Sequence, residues 1–88
     1  MTENKVDIKQ IEATEISTLN GTKIITPYSL DFVIDATRHI DRDTTFIQIK
    51  GITDWLPFRS YKRSEFKDIV IYIKSIDHMQ SFKVQIEG

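Results

Sequence analysis

Apolar and polar residues alternate along much of this chain, the period-two signature of strands with one face buried. Tyr28, Leu30, Phe32, Ile34 and Ala36 alternate with Ser29, Asp31, Val33, Asp35 and Thr37. That run predicts a strand with an acidic outer face. Thr45-Phe46-Ile47-Gln48-Ile49-Lys50 reads as the next strand, followed by Gly51 and a further segment from Ile52 to about Phe58. Pro57 places that segment at an edge or a bulge, because proline donates no ladder hydrogen bond. Phe82, Val84 and Ile86, alternating with Lys83, Gln85 and Glu87, predict a closing strand.

Nearer the start, Val6 to Ala13 suggests a strand with an irregularity near Gln10. A helix using Ile8, Ile11, Glu15 and Ile16 competes with it. Asn20-Gly21 lies between Glu15–Leu19 and Thr22–Thr26 and predicts a β-hairpin. Both residues tolerate the positive φ that a type I′ turn demands.

A different period appears after Ser64. Phe66, Ile69, Val70, Ile73 and Ile76 fall on one stripe of a helix, with Ser64 as N-cap and Glu65 in the first turn. Against this, Ile69-Val70-Ile71-Tyr72-Ile73 is dense in β-branched and aromatic residues, which favour strands. The stripe decides for a helix over about residues 64–78. The predicted fold is α+β: one domain over residues 1–88, an antiparallel β-sheet of about five to six strands, and that helix on one face.

Composition sharpens the picture. Eighty-eight residues leave room for one core, and 40% hydrophobic with 28% charged residues is the balance of a folded domain. Without cysteine there are no disulfides or thiolate sites, which fits the cytosol. No apolar run reaches the roughly 20 residues of a membrane span. The polar start, Met-Thr-Glu-Asn-Lys, is unlike a signal peptide. A net charge of −1 gives no global field to attract nucleic acid.

The richest local chemistry runs from Trp55 to Lys67. Trp55, Phe58, Tyr61 and Phe66 interleave with Arg59, Lys62, Arg63 and Lys67 against one acid, Glu65. Rings beside fixed cations can stack on bases, clamp a phosphate or grip an acidic partner. The plainer account is that Trp55, Phe58 and Phe66 are core, with cationic stems draped over them. A mixture reconciles the two: Phe66 inward, and Tyr61, Arg59, Lys62 and Arg63 outward. The predicted binding residues are Trp55, Phe58, Arg59, Tyr61, Lys62, Arg63 and Lys67.

Elsewhere the chemistry is thin. His39-Ile40-Asp41-Arg42-Asp43, with Asp35 nearby, matches neither zinc nor calcium spacing and reads as a solvated turn. His78 falls at the C-terminus of the expected helix, where it suits the dipole. Three scattered glycines cannot build a phosphate loop, and no nucleophile elbow is present. No catalytic residue, metal ligand or cofactor is expected. Asp31 and Asp35 share a face, with Asp41 and Asp43 following, so acid gathers at one place and base at another. That distribution suits head-to-tail or two-fold self-pairing, a homodimer included, or docking on a basic protein.

The sequence therefore points to a small non-enzymatic protein-interaction module, an adaptor or inhibitor, of the kind found among phage or mobile-element accessory proteins. Its expected partner is another protein. The alternative is single-stranded nucleic acid, with Trp55, Phe58 and Tyr61 stacking on bases and the cations following the backbone.

Overall fold

The computed structural model of the protein describes residues 7–38 and 45–87. The expected turn at residues 39–43 lies outside them. Among the described residues, six strands and one helix follow in order: β1 (Ile8–Thr18), β2 (Lys23–Thr26), α1 (Leu30–Arg38), β3 (Phe46–Gly51), β4 (Ser60–Lys62), β5 (Lys67–Tyr72) and β6 (Ile76–Glu87). One-turn 3₁₀ helices occupy Arg63–Glu65 and Ile73–Ser75. The expected class, α+β in a single small domain, is the observed one.

The strands form two sheets, one ordered β2-β1-β6-β4 and one β3-β5. All pairs are antiparallel except β4 with β6, which is parallel, so the expectation of one antiparallel sheet is corrected on both counts. A bridge links the sheets: Ile25 donates to the Ile52 carbonyl at 2.9 Å, and Ile52 returns a bond to Ile25 at 2.8 Å. Gly51 sits beside that bridge in a tight place. A Cβ there would lie 3.0 Å from Ile24 Cγ2 and from Ile69 Cδ1, and 3.2 Å from the Ile25 carbonyl oxygen.

β1 and β6 form a long two-stranded spine, registered from Ile8 opposite Glu87 to Ser17 opposite His78. β1 is one continuous strand, which removes both the irregularity expected near Gln10 and the competing helix. The hairpin at Asn20-Gly21 is present, yet its turn is not type I′. Gly21 alone takes a positive φ, 89°, and its N–H bonds back to the Thr18 carbonyl at 3.0 Å. A three-residue loop results, with glycine absorbing the left-handed position.

Two elements exchange character relative to the sequence reading. The acidic run at 28–37 is the helix, and most of the segment at 64–78 is strand. Ser29 caps α1, its Oγ accepting from Phe32 N–H at 3.3 Å and its carbonyl from Val33 N–H at 3.0 Å. Asp31 occupies the first turn and Arg38 the last, each suited to the dipole. Val33 is buried, while Leu30, Ile34 and Thr37 are half-buried on the same stripe. In β5 the β-branched residues prevail: Ile71 is buried and Ile69 half-buried, while Val70 and Tyr72 face out. The apparent helical stripe is divided between two cores, Phe66 in one and Ile69, Ile73 and Ile76 in the other.

Those cores lie on opposite faces of the larger sheet. Adjacent residues Ile24 and Ile25 point into different ones, as strand alternation requires. One core is almost wholly aliphatic: Ile16, Ile24, Val33, Ile47, Ile49 and Ile71. The other holds Ala13, Ile25, Tyr61, Phe66, Val84 and Ile86, with Ile11, Ile52, Trp55 and Phe82 packed against it.

Candidate functional site: the loop and groove around Phe58

The segment expected as a strand from Ile52 to Phe58 leaves the sheet after Ile52 and becomes a loop. Pro57 fits no ladder there, and it takes the second position of a turn closed by Arg59 N–H on the Leu56 carbonyl at 3.4 Å. Phe58 follows at φ 69°, the left-handed region that such a turn demands at its third position and that glycine normally fills. A bulky aromatic held there costs on the order of 1–3 kcal/mol of backbone strain. Its ring is 99% exposed. Burial therefore offsets none of that cost in the isolated chain.

Tyr61 anchors the loop from beneath. The sequence places it outward; it is instead 3% exposed, in the aromatic core. On β4 it points opposite to Ser60 and Lys62, and its hydroxyl reaches the loop backbone. Leu56 N–H donates to that oxygen, and the hydroxyl donates to the Leu56 carbonyl at 3.3 Å. A tyrosine buried with its polar tip satisfied is the arrangement expected of a structural residue. Tyr61 is thus a buried wall of the adjoining groove and not the outward-facing ring expected.

Arg59 and Glu65 complete the frame. The Arg59 guanidinium donates to Glu65 Oε1 at 2.7 Å and lies over the Tyr61 ring, 4.3 Å from its centroid. Glu65 Oε2 accepts the Lys62 backbone N–H at 2.8 Å. That backbone bond, followed by the Arg59 bond, holds the Glu65 carboxyl below its usual range. The bond to Glu65, then the one to Tyr61, raises Arg59. Ser64, expected as an N-cap, lies inside the 3₁₀ turn that Glu65 ties off.

Beside this frame opens a groove of about 270 Å³, walled by Ile25, Ile52, Phe66, Phe82 and Val84, with Trp55, Leu56, Pro57 and Phe58 along its rim. Trp55 is half-buried against Phe82, the ring centroids 4.9 Å apart. Leu56 is 64% exposed. Among the described residues that line the groove, the charged ones are Arg59, whose guanidinium is engaged by Glu65, and Lys83, which alternates with Phe82 and Val84 on β6 and so contributes backbone rather than its ammonium. Lys62 at the end of β4, Arg63 on the connection and Lys67 at the start of β5 are exposed. Of the predicted binding residues, the structure brings Trp55, Phe58, Arg59 and, buried beneath them, Tyr61 to one groove. It leaves Lys62, Arg63 and Lys67 as separate exposed cations. Sequence reasoning missed Leu56 and Lys83; Leu56 carried a signal, as an apolar residue ahead of a proline-led turn.

His78 sits on β6, not at a helix end, with Nδ1 2.8 Å from Ser17 Oγ. Asp31 and Asp35 lie four residues apart on α1, where they still share a face. No group of three or more His, Asp or Glu residues that could hold a metal ion occurs among the described residues. No helix is long and apolar enough to cross a membrane among them. Compared with family models, curated proteins and solved structures, the chain finds no match.

Proposed function

We propose that this chain is a small, non-enzymatic protein-interaction module, an adaptor or inhibitor acting in the cytosol. It seats an apolar side chain of its partner, flanked by carboxylates, in the groove beside Phe58. The observation that carries this reading is Phe58 itself: a fully exposed phenylalanine on strained backbone, at the lip of an apolar groove, with Lys62 and Arg63 exposed on the chain that follows. A large ring normally goes inside. Exposure together with strain marks a residue kept for contact, and aromatic anchors surrounded by a polar rim are the usual centre of a binding surface.

The same geometry weighs against single-stranded nucleic acid. Stacking along a strand needs several accessible ring faces. With Tyr61 buried and Trp55 against Phe82, Phe58 alone of the predicted rings presents an open one.

Titration with an acetylated Glu-Asp-Phe-Leu-Asp-Glu peptide, followed by Trp55 fluorescence, tests the reading. Binding is expected, weakened about tenfold or more in Phe58→Ser, since burying an aromatic side chain contributes about 1.5–3 kcal/mol. Equal binding by Phe58→Ser removes the groove from the function. Preference for an oligonucleotide over the peptide transfers the surface to the nucleic-acid reading.

A further inference from the structure

β6 is far longer than the strand beside it. β4 has three residues and covers β6 only over Gln85, Ile86 and Glu87. From Ile76 to Val84, β6 pairs with β1 on one side and, among the described residues, with no strand on the other. Register decides which backbone groups this leaves open. Thr18 N–H donates to the Thr22 carbonyl at 2.9 Å, so Thr18, Ile16 and Thr14 turn their backbone groups toward β2. Ile25, opposite Glu15, fixes the same phase, because its N–H and carbonyl bond to Ile52 and not to β1. Ala13, Glu15 and Ser17 therefore bond to β6, at Phe82, Gln80 and His78. The residues between these, Ser81 and Lys83 among them, direct N–H and C=O away from β1. They face the side on which β4 joins β6 further on.

That open edge runs into the groove. Traced back from Ser60, the chain leaves β6 at Arg59 and swings out through Phe58, Pro57 and Leu56. Lys83, Val84 and Gln85 then line the groove on one side and the turn lines it on the other. The groove is thus the place that β4 would occupy if it continued. We infer that the segment seated there is an extended strand of a partner protein, which pairs with β6 at Ser81 and Lys83 in line with β4. This rests on the groove reading above and supplies the conformation of what is bound. Unpaired N–H and C=O groups on a sheet edge are a template for a further strand. Main-chain hydrogen bonds then hold the segment, and every second side chain turns down toward Phe66 and Phe82. A helix seated in the groove satisfies its own backbone and leaves the edge groups of Ser81 and Lys83 to water, so an extended segment fits where a helix does not.

Amide hydrogen exchange on the full chain, read residue by residue with and without the Glu-Asp-Phe-Leu-Asp-Glu peptide, tests this. In the free chain, Ser81 and Lys83 are expected to exchange about tenfold or more faster than Gln80 and Phe82, which bond to β1. Saturating peptide is expected to slow Ser81 and Lys83 about tenfold or more and to leave Gln80 and Phe82 little changed. Two further peptides, N-methylated at Phe or at Leu, probe the ligand side. Neighbouring residues of a strand send their N–H groups to opposite sides, so one of the two loses about tenfold in affinity and the other binds like the parent. Equal binding by both, or equal loss in both, overturns the inference. So does an unchanged exchange rate at Ser81 and Lys83 in the complex, the outcome for a helical ligand. Protection of these amides in the free chain overturns it too, and protection that grows with protein concentration assigns the edge to a second copy. In each of these cases, binding of the parent peptide that Phe58→Ser weakens leaves the groove reading standing. If the parent peptide does not bind, both fall together.

Discussion

The two cores differ in what fills them, and the difference separates stability from contact. Around Ile16 the side chains are branched aliphatics of similar size. They interlock between α1, the β3–β5 pair and the larger sheet, and at Gly51 a Cβ would press on Ile24 and Ile69. Around Tyr61 the side chains are large rings meeting at tilted angles, with Tyr61 and Phe66 at 56° and Trp55 and Phe82 at 59°. Flat rings at such angles leave gaps that branched aliphatics would close, and the gap here is the groove. One end is packed to be stable. The other is packed around a vacancy, with its most exposed ring at the edge.

The sharpest way to break that contrast is truncation at each end. Ile16→Ala, at a position with no exposure, leaves an enclosed cavity and is expected to cost about 2–5 kcal/mol. In a domain of this size that lowers the melting temperature by about 10 °C or more. Trp55→Ala removes a larger side chain, but one that borders open solvent, so water enters and no sealed void remains. Its expected loss in a thermal melt is smaller than that of Ile16→Ala. If Trp55→Ala proves the more damaging, the aromatic end is the structural core and the division of labour fails.

How far the sequence discloses this arrangement depends on which force decides each segment. The hairpin, β3 and the end of β6 are legible because local pattern and tertiary burial agree there. α1 is not, because Tyr28, Leu30, Phe32, Ile34 and Ala36 alternate as a strand would. The deciding features are Ser29 as a cap and the stripe of Leu30, Val33, Ile34 and Thr37, which the alternation masks. β5 is misread for the converse reason: spacing favours a helix, and the β-branched composition of Ile69, Val70 and Ile71 prevails. At the site, the region from Trp55 to Lys67 is legible by composition. The inward turn of Tyr61 is not, since it depends on β4 joining β6 in parallel, a long-range pairing that leaves no local mark.

Phe58 sharpens the comparison from the other side, because its removal is expected to stabilise. Phe58→Gly places the residue suited to positive φ at the third position of the turn and releases backbone strain, a gain of about 1 kcal/mol. Phe58→Ala discards the same ring but keeps a Cβ in the left-handed region, so it recovers little. Thermal melts of the two variants separate backbone from side chain, while peptide binding falls in both. Equal stability of Phe58→Gly and Phe58→Ala would mean that the turn carries no strain and that Phe58 is exposed without cost.

The smallest effect distinguishes the two ends by pH. The Glu65 carboxyl is held below its ordinary value in the folded chain, chiefly by the Lys62 backbone N–H and then by Arg59. A carboxyl lowered on folding stabilises above the unfolded value, about 4.3, and that contribution disappears as pH falls through the folded value. Arg59, raised rather than lowered, stays charged throughout and adds no titration of its own in this window. Glu65→Gln should therefore melt below the wild-type chain at pH 7, with the gap narrowing below about pH 4.3 and closing once the folded carboxyl protonates. The ion pair is solvent-accessible, so the gap is small and shrinks further with added salt. The buried residues of the aliphatic core, Ile16, Ile24, Val33, Ile47, Ile49 and Ile71, carry no carboxyl, and Ile16→Ala is expected to give a melting deficit that does not follow this window. A Glu65→Gln gap that stays constant down to pH 2 would show that the side chain acts through shape alone, and the charge frame of the loop would lose its part in holding Phe58 outward.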